Sequence, residues 1–591
     1  MSERKFSLRQ VLGAVSFVDC GDIVACGVSC DSRTVKPGQL FVALSGASVD
    51  GHNCIRSALA AGASAVLVER PQSGIRVPQC VVADSRAAWA VLCMHLAGAP
   101  AAAMQLAGVT GTNGKTTTTW LLRSILEAAG RRTGLLGTVE YHDGWQAHPS
   151  LLTTPDAEQL ARILAQMAEK RTDHCVMEVS SHALHQRRCS ALRFAVAAVT
   201  NITHDHLDYH GTIDRYLAAK AKMASLLLPN RPLLVGIDDP GCRKMLADIP
   251  VNVPVITFGF SEEADLRVTV LDSPSDTVDF CRTCPPEIGA SSEGPEAEGP
   301  EAEGPEAERP GAEGPPEQPM QLMLRLRQST LQVSTRLVGR HNALNCLTAA
   351  GMAEQLGIPD ALIARGLENV ACIPGRMEAI RAGQPFQVFV DYAHTPDGLR
   401  HCLQTARERT RGRVICVFGA GGDRDRSKRP LMAQASEAAD VVLVTSDNPR
   451  SEDPRAIIQD IVNGFSKLDR VLQQVDREAA IRRALEMASA EDTVVVAGRG
   501  HEPIQQIGAQ QICFDDRRVA RRLLRELKPT ATPSFRNGRL SLVATHGAAA
   551  HGATAHGPPA LAANSSRSSV VDPSAGSISE NAGNFPNRIP A

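Results

Sequence analysis

A glycine-rich run at residues 108–118 has the residue types and spacing of a phosphate-binding loop. Glycines let backbone N–H groups close around phosphate oxygens, a lysine reaches the outer phosphates, and a threonine hydroxyl can bind Mg²⁺. The strict P-loop spacing needs a further glycine at Val109, so the chain has a shorter form of the motif. The alternative is a glycine turn with only a structural role. The residues that we expect to bind a nucleoside triphosphate are Gly111, Thr112, Asn113, Gly114, Lys115, Thr116 and Thr117.

The segments on either side of this loop predict the elements that hold it. Apolar residues at 104–109 predict a strand that leads into the loop. Apolar residues at helical spacing over 121–129 predict a helix that ends at Gly130. Because the helix begins directly after the loop, its free N–H groups point toward a bound phosphate. This order of elements favours phosphate binding over a structural turn.

Two further polar clusters follow predicted apolar strands. Residues 175–182 place acidic, hydroxyl and imidazole groups at the end of one strand, and the strand at 196–199 leads into histidines and aspartates at 200–210. Next to a phosphate loop these groups predict a Mg²⁺ site, because Mg²⁺ prefers oxygen ligands. A polar turn is the alternative. The helix predicted at 213–228 carries Lys220, for which a solvated face is the simplest interpretation.

The last third of the chain carries arginines and carboxylates at the ends of predicted strands. An arginine fork binds a carboxylate and acidic side chains bind an ammonium group, so such clusters suit a zwitterionic amino acid. Surface salt bridges are the alternative. The strands that we predict in this part are residues 387–390, 414–418, 441–445 and 493–497, and a helix is predicted at 478–488.

Apolar strands alternate with amphipathic helices along the chain, which predicts an α/β fold with parallel sheets covered on both faces. In such sheets ligands collect beyond the carboxyl ends of the strands. The 591 residues suggest about three or four domains of ~150 residues each, and the pattern along the chain divides it into three, at residues 1–100, 101–338 and 339–528. A Glu/Pro/Gly-rich insertion at 285–319 and a tail at 529–591 are too polar or too irregular to form a core, and we predict that both are disordered.

The composition excludes several classes of function. Lys and Arg together number 62 against 64 Asp and Glu, and aromatic residues make up 4%, so neither a nucleic-acid partner nor a membrane surface is expected. No apolar run approaches the ~18 residues of a membrane helix. The pair Cys281 and Cys284 lacks the second pair that a zinc site needs. We expect a cytoplasmic protein.

Together the motifs resemble those of the Mur ligase family of peptidoglycan synthesis, over residues 20–525. The tetrad at 447–450 is similar to the signature of the diaminopimelate-adding branch, where lysine-adding relatives differ. The motifs that carry the resemblance lie at residues 31–33, 111–117, 153–155, 177–182, 205–210, 339–342, 375–378, 391–394, 422–425 and 447–450.

The resemblance implies an N-terminal α/β domain that binds the UDP substrate, a central P-loop-type parallel-sheet ATPase domain and a C-terminal Rossmann-like α/β domain that binds the amino acid. It also implies a monomeric amide ligase that uses ATP and Mg²⁺. ATP would phosphorylate the D-Glu carboxylate of UDP-N-acetylmuramoyl-L-alanyl-D-glutamate, and an amine of meso-diaminopimelate would attack the acyl phosphate. Phosphoryl transfer depends mainly on positioning and charge neutralisation, which suits the clusters described above.

The resemblance further implies roles for individual residues. Asn342 and Asp391 would contact the adenosine of ATP. The residues with an implied catalytic role are Lys115, Glu178, His206 and Lys220. The implied Mg²⁺ ligands are Thr116, Glu178, His206 and, as a carbamate, Lys220. The UDP-sugar peptide would lie on Cys30, Ser32, Ala47, Ser48, Val49, Thr153, Thr154, Ser180, Gln186 and Arg188. The amino-acid pocket would be formed by Arg424, Asp447, Asn448, Pro449, Arg450, Gly498 and Glu502.

Three alternatives remain open at this point. The motif at 31–33 argues against a folylpolyglutamate synthase, and the tetrad at 447–450 argues against the lysine-adding branch. A nucleotide-binding switch that forms no bond would leave the Arg/Asp clusters without a role, and the GTP-specific motif Asn-Lys-x-Asp is absent after the strands. With ATP on the second domain and the amino acid on the third, the reaction would also require domain closure.

Overall fold

A computed structural model describes residues 5–46, 49–203, 205–271 and 319–527. The predicted disordered tail lies outside these residues, as does the insertion apart from Pro319, and so do the candidate substrate contacts Ala47 and Ser48. None of the described helices is long and apolar enough to cross a bilayer.

The N-terminal part is built around a small sheet with strand order β2-β7-β6-β5-β4. Its interior pairs are parallel, and β2 joins β7 in the antiparallel direction. The strands of this part are β1 Phe6–Ser7, β2 Ser16–Val18, β3 Val24–Ala25, β4 Val28–Ser29, β5 Leu40–Val42, β6 Ala65–Val68 and β7 Gln79–Val81. The helices are α1 Leu8–Leu12, α2 Ile55–Ala60 and α3 Ser85–Leu96.

The central part is a long sheet with helices on both faces. Its strands are β8 Gln105–Thr110, β9 Thr133–Leu136, β10 Glu140–His142, β11 Ala147–Pro149, β12 His174–Glu178, β13 Val196–Val199, β14 Leu233–Gly236, β15 Val255–Gly259, β16 Leu266–Leu271, β17 Met320–Arg325 and β18 Thr330–Thr335. Its helices are α4 Lys115–Ala128, α5 Ala157–Glu169, α6 Ser181–His185, α7 Leu207–His210, α8 Ile213–Ala221 and α9 Pro240–Met245, and two further helices pack on it, α10 Arg340–Gln355 and α11 Asp360–Glu368.

The central strands run in the order β11-β10-β9-β12-β8-β13-β14-β15-β16-β17-β18. The interior pairs are parallel, as the sequence predicts. On β13, Val196 and Ala198 face one hydrophobic core while Ala197 and Val199 face the other, because helices cover both faces. The two ends of the sheet are antiparallel hairpins, β10–β11 and β17–β18, which the sequence analysis did not predict.

Helices α10 and α11 pack against α4 and the central sheet. Ile363 and Leu367 of α11 lie fully buried in the same core as Leu122 and Ile125 of α4. Our sequence-based division assigned both helices to the third domain. Because their apolar faces are covered by the central sheet, we propose that the boundary between these domains lies near residue 374.

The C-terminal part is a second doubly covered sheet with strand order β19-β20-β24-β21-β22-β23. All its pairs are parallel except β19 with β20. The strands are β19 Glu378–Ala379, β20 Gln387–Asp391, β21 Val414–Phe418, β22 Val441–Thr445, β23 Val471–Gln474 and β24 Thr493–Ala497, followed by the hairpin β25 Ile504–Ile507 and β26 Gln510–Cys513. The helices are α12 Pro396–Arg409, α13 Lys428–Ser436, α14 Pro454–Val462, α15 Arg477–Met487 and α16 Asp516–Glu526.

The strand order brings together the polar segments that the sequence separates. β20, β24, β21 and β22 are consecutive neighbours and parallel, so their carboxyl ends lie at one edge of the sheet. The helix predicted at 213–228 is shorter than expected, because α8 ends at Ala221 and a 3-10 turn, Lys222–Leu226, follows it.

Candidate active site

The glycine-rich loop joins β8 to α4 and is held by its own lysine. Lys115 Nζ donates to the carbonyl oxygens of Gly111 at 3.0 Å and Thr112 at 2.9 Å. Gly114 caps α4 with φ +84°, and a Cβ there would collide with Asn345 Oδ1. The loop therefore has a defined conformation with the partly buried amine of Lys115 at its centre, and removal from water lowers the pKa of that group.

The end of β13 supports the same loop. Asn201 Oδ1 accepts a hydrogen bond from the Asn113 backbone N–H at 2.8 Å, and the Thr200 hydroxyl donates to the Asn113 carbonyl at 2.6 Å. The Asn113 side-chain amide donates in turn to Asp397 Oδ2 of α12 at 3.0 Å. A residue of the C-terminal part thus contacts the phosphate-binding loop directly.

A cavity of about 650 Å³ opens above this loop, between the central and C-terminal parts. This volume lies within the range of ~300–1,000 Å³ typical of small-molecule sites. Of the nucleotide and metal residues predicted from sequence, Gly111 and Lys220 are not among those that line it. Those that do are Thr112, Asn113, Gly114, Lys115, Thr116, Thr117, Glu178, His206, Asn342 and Asp391.

Glu178 and His206 lie on the central side of this cavity. Glu178 ends β12 and accepts hydrogen bonds from the Thr138 backbone N–H at 2.8 Å and the Thr138 hydroxyl at 3.0 Å. His206 has a left-handed backbone, φ +54°. Burial lowers the pKa of His206 to about 4, although the Asp205 carboxylate opposes the shift, so a neutral imidazole faces the cavity at pH 7.

Lys220 lies on α8 with 1% of its surface exposed, so the interpretation as a solvated helix face is wrong. Its ammonium nitrogen lies 4.7 Å from the centre of the Tyr216 ring, and no carboxylate within the described residues forms an ion pair with it. Burial and the charge of Lys115 hold the pKa of Lys220 well below its usual value, although the carboxylate of Asp205 opposes them. Burial thus favours the deprotonated form of the amine, which is the form that reacts with CO₂.

The predicted contacts of the sugar peptide in the central part form one hydrogen-bonded group. Arg188 donates to the Thr154 carbonyl at 2.8 Å and to Gln186 Oε1 at 2.7 Å, and the Ser180 N–H donates to the Thr154 hydroxyl at 2.9 Å. Thr153 is separate, since its hydroxyl accepts from Thr138 at 3.1 Å.

The predicted contacts in the N-terminal part are less organised. Val49 is 61% exposed, and Cys30 is partly buried, with its thiol pKa raised by burial to about 11. Over the described ranges, no hydrogen bond joins Cys30 or Ser32 to the sugar-peptide group. Their role in UDP binding stays a prediction.

The residues predicted to form the amino-acid pocket, the tetrad at 447–450 and those after β24, lie together in one polar cluster. The Asn448 side-chain amide donates to Glu502 Oε2 at 2.8 Å, and a Cβ on Gly498 would lie 2.7 Å from Asp447 Oδ2. Arg450 has φ +50°, and its Nη1 donates to the Gly422 carbonyl at 2.7 Å. Pro449 is buried between Asn448 and Arg450.

Charges of both signs meet in this pocket. Burial raises the pKa of Glu502, and the Asp447 carboxylate adds to the shift. Burial lowers the pKa of Arg450, and the neighbouring charge of Arg424 adds to that shift. Arg424 itself is exposed, and its Nη1 donates to the carbonyl of the neighbouring Asp423 at 3.4 Å. Two acids and two arginines in one pocket suit a ligand with ammonium and carboxylate groups.

Comparisons with known proteins agree with this arrangement. Family models match residues 25–93 (Mur ligase family, catalytic domain), 109–353 (Mur ligase middle domain) and 375–500 (Mur ligase, glutamate ligase domain). The UDP-N-acetylmuramoyl-L-alanyl-D-glutamate--2,6-diaminopimelate ligase of Geobacillus thermodenitrificans is 40% identical over 516 residues, 85% of this chain and 95% of that protein. The enzyme of the same name from Syntrophomonas wolfei is 39% identical over 505 residues, 84% of this chain and 94% of that protein. The chain belongs to the Mur ligase family.

A solved structure supports the Mur ligase fold. It is a UDP-N-acetylmuramoyl-L-alanyl-D-glutamate--2,6-diaminopimelate ligase with a TM-score of 0.57 and 30% sequence identity, covering 88% of this chain and 99% of that one. The family resemblance and the three-domain α/β fold that the sequence predicts are therefore confirmed. Along this chain, the match to the middle-domain model ends at residue 353, and the match to the glutamate-ligase-domain model begins at residue 375. The second match thus begins at our proposed boundary near residue 374.

The structure of this chain also shows two arginines whose roles the sequence analysis missed. Arg376 Nη2 donates to the Thr116 hydroxyl at 2.9 Å, and its guanidinium lies 4.6 Å from the centre of the Tyr392 ring. Arg499 is fully buried, and its Nη1 donates to Asn448 Oδ1 at 2.8 Å. Arg376 lies in the motif at 375–378, which signalled its importance but not its partner.

Proposed function

We propose that the chain is an ATP-dependent ligase that joins meso-diaminopimelate to the D-Glu carboxylate of UDP-N-acetylmuramoyl-L-alanyl-D-glutamate. The observation that carries this proposal is the cluster of Asp447, Asn448, Arg450 and Glu502 beside the nucleotide cavity. Tyr392 belongs to both, since it lines the cavity and its hydroxyl donates to Glu502 Oε1 at 3.3 Å. Relatives about 40% identical, over most of the chain, carry the name of this activity.

The reaction needs an activated carboxylate, because a free carboxylate is a poor electrophile at neutral pH. Transfer of the ATP γ-phosphoryl group to the D-Glu carboxylate forms an acyl phosphate, and attack by an amine of diaminopimelate then expels phosphate. Lys115 and the backbone N–H groups of the loop would hold the phosphates and balance their charge. Asn342 and Asp391, which also line the cavity, would contact the adenosine.

Mg²⁺ would be held by Thr116, Glu178, His206 and a carbamate on Lys220. No cluster of three or more His, Cys, Asp or Glu side chains in the described part of the chain is placed to hold a metal, so hydroxyl, carbamate and phosphate oxygens would have to complete the site. The donor set fits, because burial lowers the pKa of Lys220 and so favours the deprotonated amine, which can bond to the carbon of CO₂ with loss of a proton. When bound, Mg²⁺ supplies charge neutralisation for phosphoryl transfer.

The pocket would select diaminopimelate over lysine through its arginines. The two amino acids differ by one carboxylate, and Arg450 with Arg424 would pair with that group. Lysine would leave a half-buried guanidinium without its partner, which costs several kcal/mol in comparable sites (roughly 2–5). The acids Asp447 and Glu502 would hold the adjacent ammonium group.

The proposal also covers the binding of the nucleotide-sugar peptide, the cell compartment and the oligomeric state. The group of Thr154, Ser180, Gln186 and Arg188 would hold the muramoyl peptide, with Thr153 beside it. The UDP end would be contacted by Cys30, Ser32, Ala47, Ser48 and Val49. We propose a cytoplasmic monomer that makes cell-wall precursor without a nucleic-acid or membrane partner, which size-exclusion chromatography and cell fractionation would test.

The deciding experiment is ATP-dependent phosphate release by the purified chain. The assay contains UDP-N-acetylmuramoyl-L-alanyl-D-glutamate and compares meso-diaminopimelate with L-lysine as the amine. We expect release that depends on the nucleotide-sugar peptide and on diaminopimelate, with little release on lysine. Equal or greater release with lysine would refute the role of Arg450, and no release with either amine would refute the proposed activity.

A further inference from the structure

A fully buried ion pair lies behind the amino-acid pocket rather than in it. Arg477 is the first residue of α15 and Asp516 is the first residue of α16, and neither side chain has any exposed surface. Arg477 Nε donates to Asp516 Oδ1 at 2.8 Å, and Nη2 donates to Oδ2 at 2.7 Å. The carboxylate thus fixes the plane of the guanidinium.

The other donors of Arg477 reach two backbone carbonyls. Nη1 donates to Ser446 O at 3.1 Å, and Nη2 donates to Ala497 O at 3.0 Å. Ser446 directly precedes Asp447, and Ala497 directly precedes Gly498, so both carbonyls lie one residue before the pocket. The Arg477 side chain therefore connects the two backbone segments that carry the residues proposed to bind the amino acid.

The sheet does not provide this connection by itself. β22 and β24 are separated by β21, so no ladder hydrogen bonds join their ends. The separation matters because a Cβ on Gly498 would lie only 2.7 Å from Asp447 Oδ2. A shift of a few tenths of an ångström between the two strand ends would change the space left for a ligand.

The position of Arg477 is costly for stability alone. A cation at a helix N-terminus faces the positive end of the helix dipole, and removing two charges from water is expensive. The same two helices are also joined at the surface by two exposed pairs, Arg482 with Glu526 and Arg522 with Glu478, each at 2.7 Å. Arg477 therefore does more than hold α15 to α16.

We infer that Arg477, oriented by Asp516, is a positioning residue that sets the distance between the Asp447 and Gly498 sides of the amino-acid pocket. It does not touch the ligand and acts through the Ser446 and Ala497 carbonyls. The inference rests on the proposed function, because the pocket is taken to bind diaminopimelate. It predicts an effect on the amine substrate that ATP does not share.

The test compares steady-state constants for three variants of the full-length enzyme. Arg477→Lys keeps the charge but cannot reach the carboxylate and both carbonyls together. We expect the KM for diaminopimelate to rise at least about tenfold, with the KM for ATP within about twofold of wild type. Asp516→Asn keeps the guanidinium and should raise the same KM by about threefold. Arg482→Ala removes a surface pair between the same helices and should change neither constant.

The outcomes separate the inference from the proposed function. No turnover of diaminopimelate by the wild-type enzyme would overturn both. Wild-type turnover with an unchanged diaminopimelate KM in Arg477→Lys would overturn the inference alone, as would equal rises in the KM values for diaminopimelate, ATP and the nucleotide-sugar peptide. If Arg477→Lys does not fold, Asp516→Asn decides by the same criterion, and a rise confined to diaminopimelate supports the inference.

Discussion

We propose that the choice of amino acid depends on Arg450. It has a left-handed backbone, φ +50°, and its half-buried guanidinium donates to the Gly422 carbonyl and interacts electrostatically with Arg424, Asp447 and Glu502. We expect Arg450→Ala to raise the KM for diaminopimelate by about 10–100-fold, the range for loss of a hydrogen bond to a charged group. The KM for ATP should stay within about twofold.

Steady-state kinetics with each substrate varied in turn would measure this split. Arg455→Ala is the matched control, because Arg455 is an exposed arginine at the start of the nearby α14. Equal loss of ATP and diaminopimelate binding in Arg450→Ala would contradict the assignment.

Lys220 carries the second prediction at this scale. Burial lowers the pKa of the Lys220 amine and so favours the form that binds CO₂, and protein prepared in ¹³C-bicarbonate should therefore give a carbamate carbon signal by NMR. Lys220→Ala should lose this signal and most of the activity. Lys222→Ala, changed two residues away, should keep both. An unaltered carbamate signal in Lys220→Ala would show that another amine carries the modification.

At the scale of elements, the continuous apolar strands were the most predictable. The predicted bounds of β13, β21, β22 and β24 agree with the structure, because strands covered on both faces must be apolar throughout. The edge hairpins were missed because a strand with one solvated face has only a short alternating pattern. The shortened helix at α8 was missed because its 3-10 continuation keeps apolar residues at similar spacing.

The conformation of Gly114 at the N-terminus of α4 predicts how a side chain there would affect nucleotide binding. Gly114→Ala would strain the left-handed backbone by about 1–2 kcal/mol and drive a Cβ into Asn345 Oδ1. We therefore expect the affinity for a non-hydrolysable ATP analogue to fall at least about tenfold, as measured by calorimetry.

Gly130→Ala is the control at the other end of the same helix. Gly130 has φ +72° with open space around its Cα, so the substitution should cost about 1–2 kcal/mol of stability without loss of nucleotide affinity. Equal loss of affinity in the two variants would mean that the loop tolerates a side chain at Gly114.

At the scale of the whole molecule, the sequence predicts which residues are polar and follow strands, but not which of them meet. The hydrogen bonds from Arg376 to Thr116 and from Asn113 to Asp397 join residues more than 250 positions apart. Such contacts depend on the packing of one sheet against another, which periodicity does not encode. The closure of the third domain onto the nucleotide stays a prediction, and these polar contacts are where it would occur.

The C-terminal part also predicts how the molecule responds to acid. Burial alone would raise the pKa of Asp492, but hydrogen bonds from Arg413 and the Ser489 N–H hold it below its usual range. Hydrogen bonds from arginines likewise lower the pKa values of Asp440, Glu452 and Asp460. Because these folded-state values lie below the unfolded ones, the unfolded chain takes up more protons as the pH falls. The contribution of these carboxylates to the free energy of unfolding is complete at neutral pH. It is lost as the pH falls below their pKa values in the unfolded chain, which are about 4.

We therefore expect the melting temperature to fall steeply on acidification from about pH 5 to pH 3, as followed by circular dichroism. Asp492→Asn should have a lower melting temperature than wild type at pH 7. Its melting temperature should fall less on acidification, because the variant no longer takes up a proton at this position when it unfolds. Asp469→Asn, at a carboxylate that is 67% exposed, should follow the wild-type curve. A variant at Asp492 with the full wild-type acid dependence would contradict this account, since the carboxylate would then not be coupled to folding.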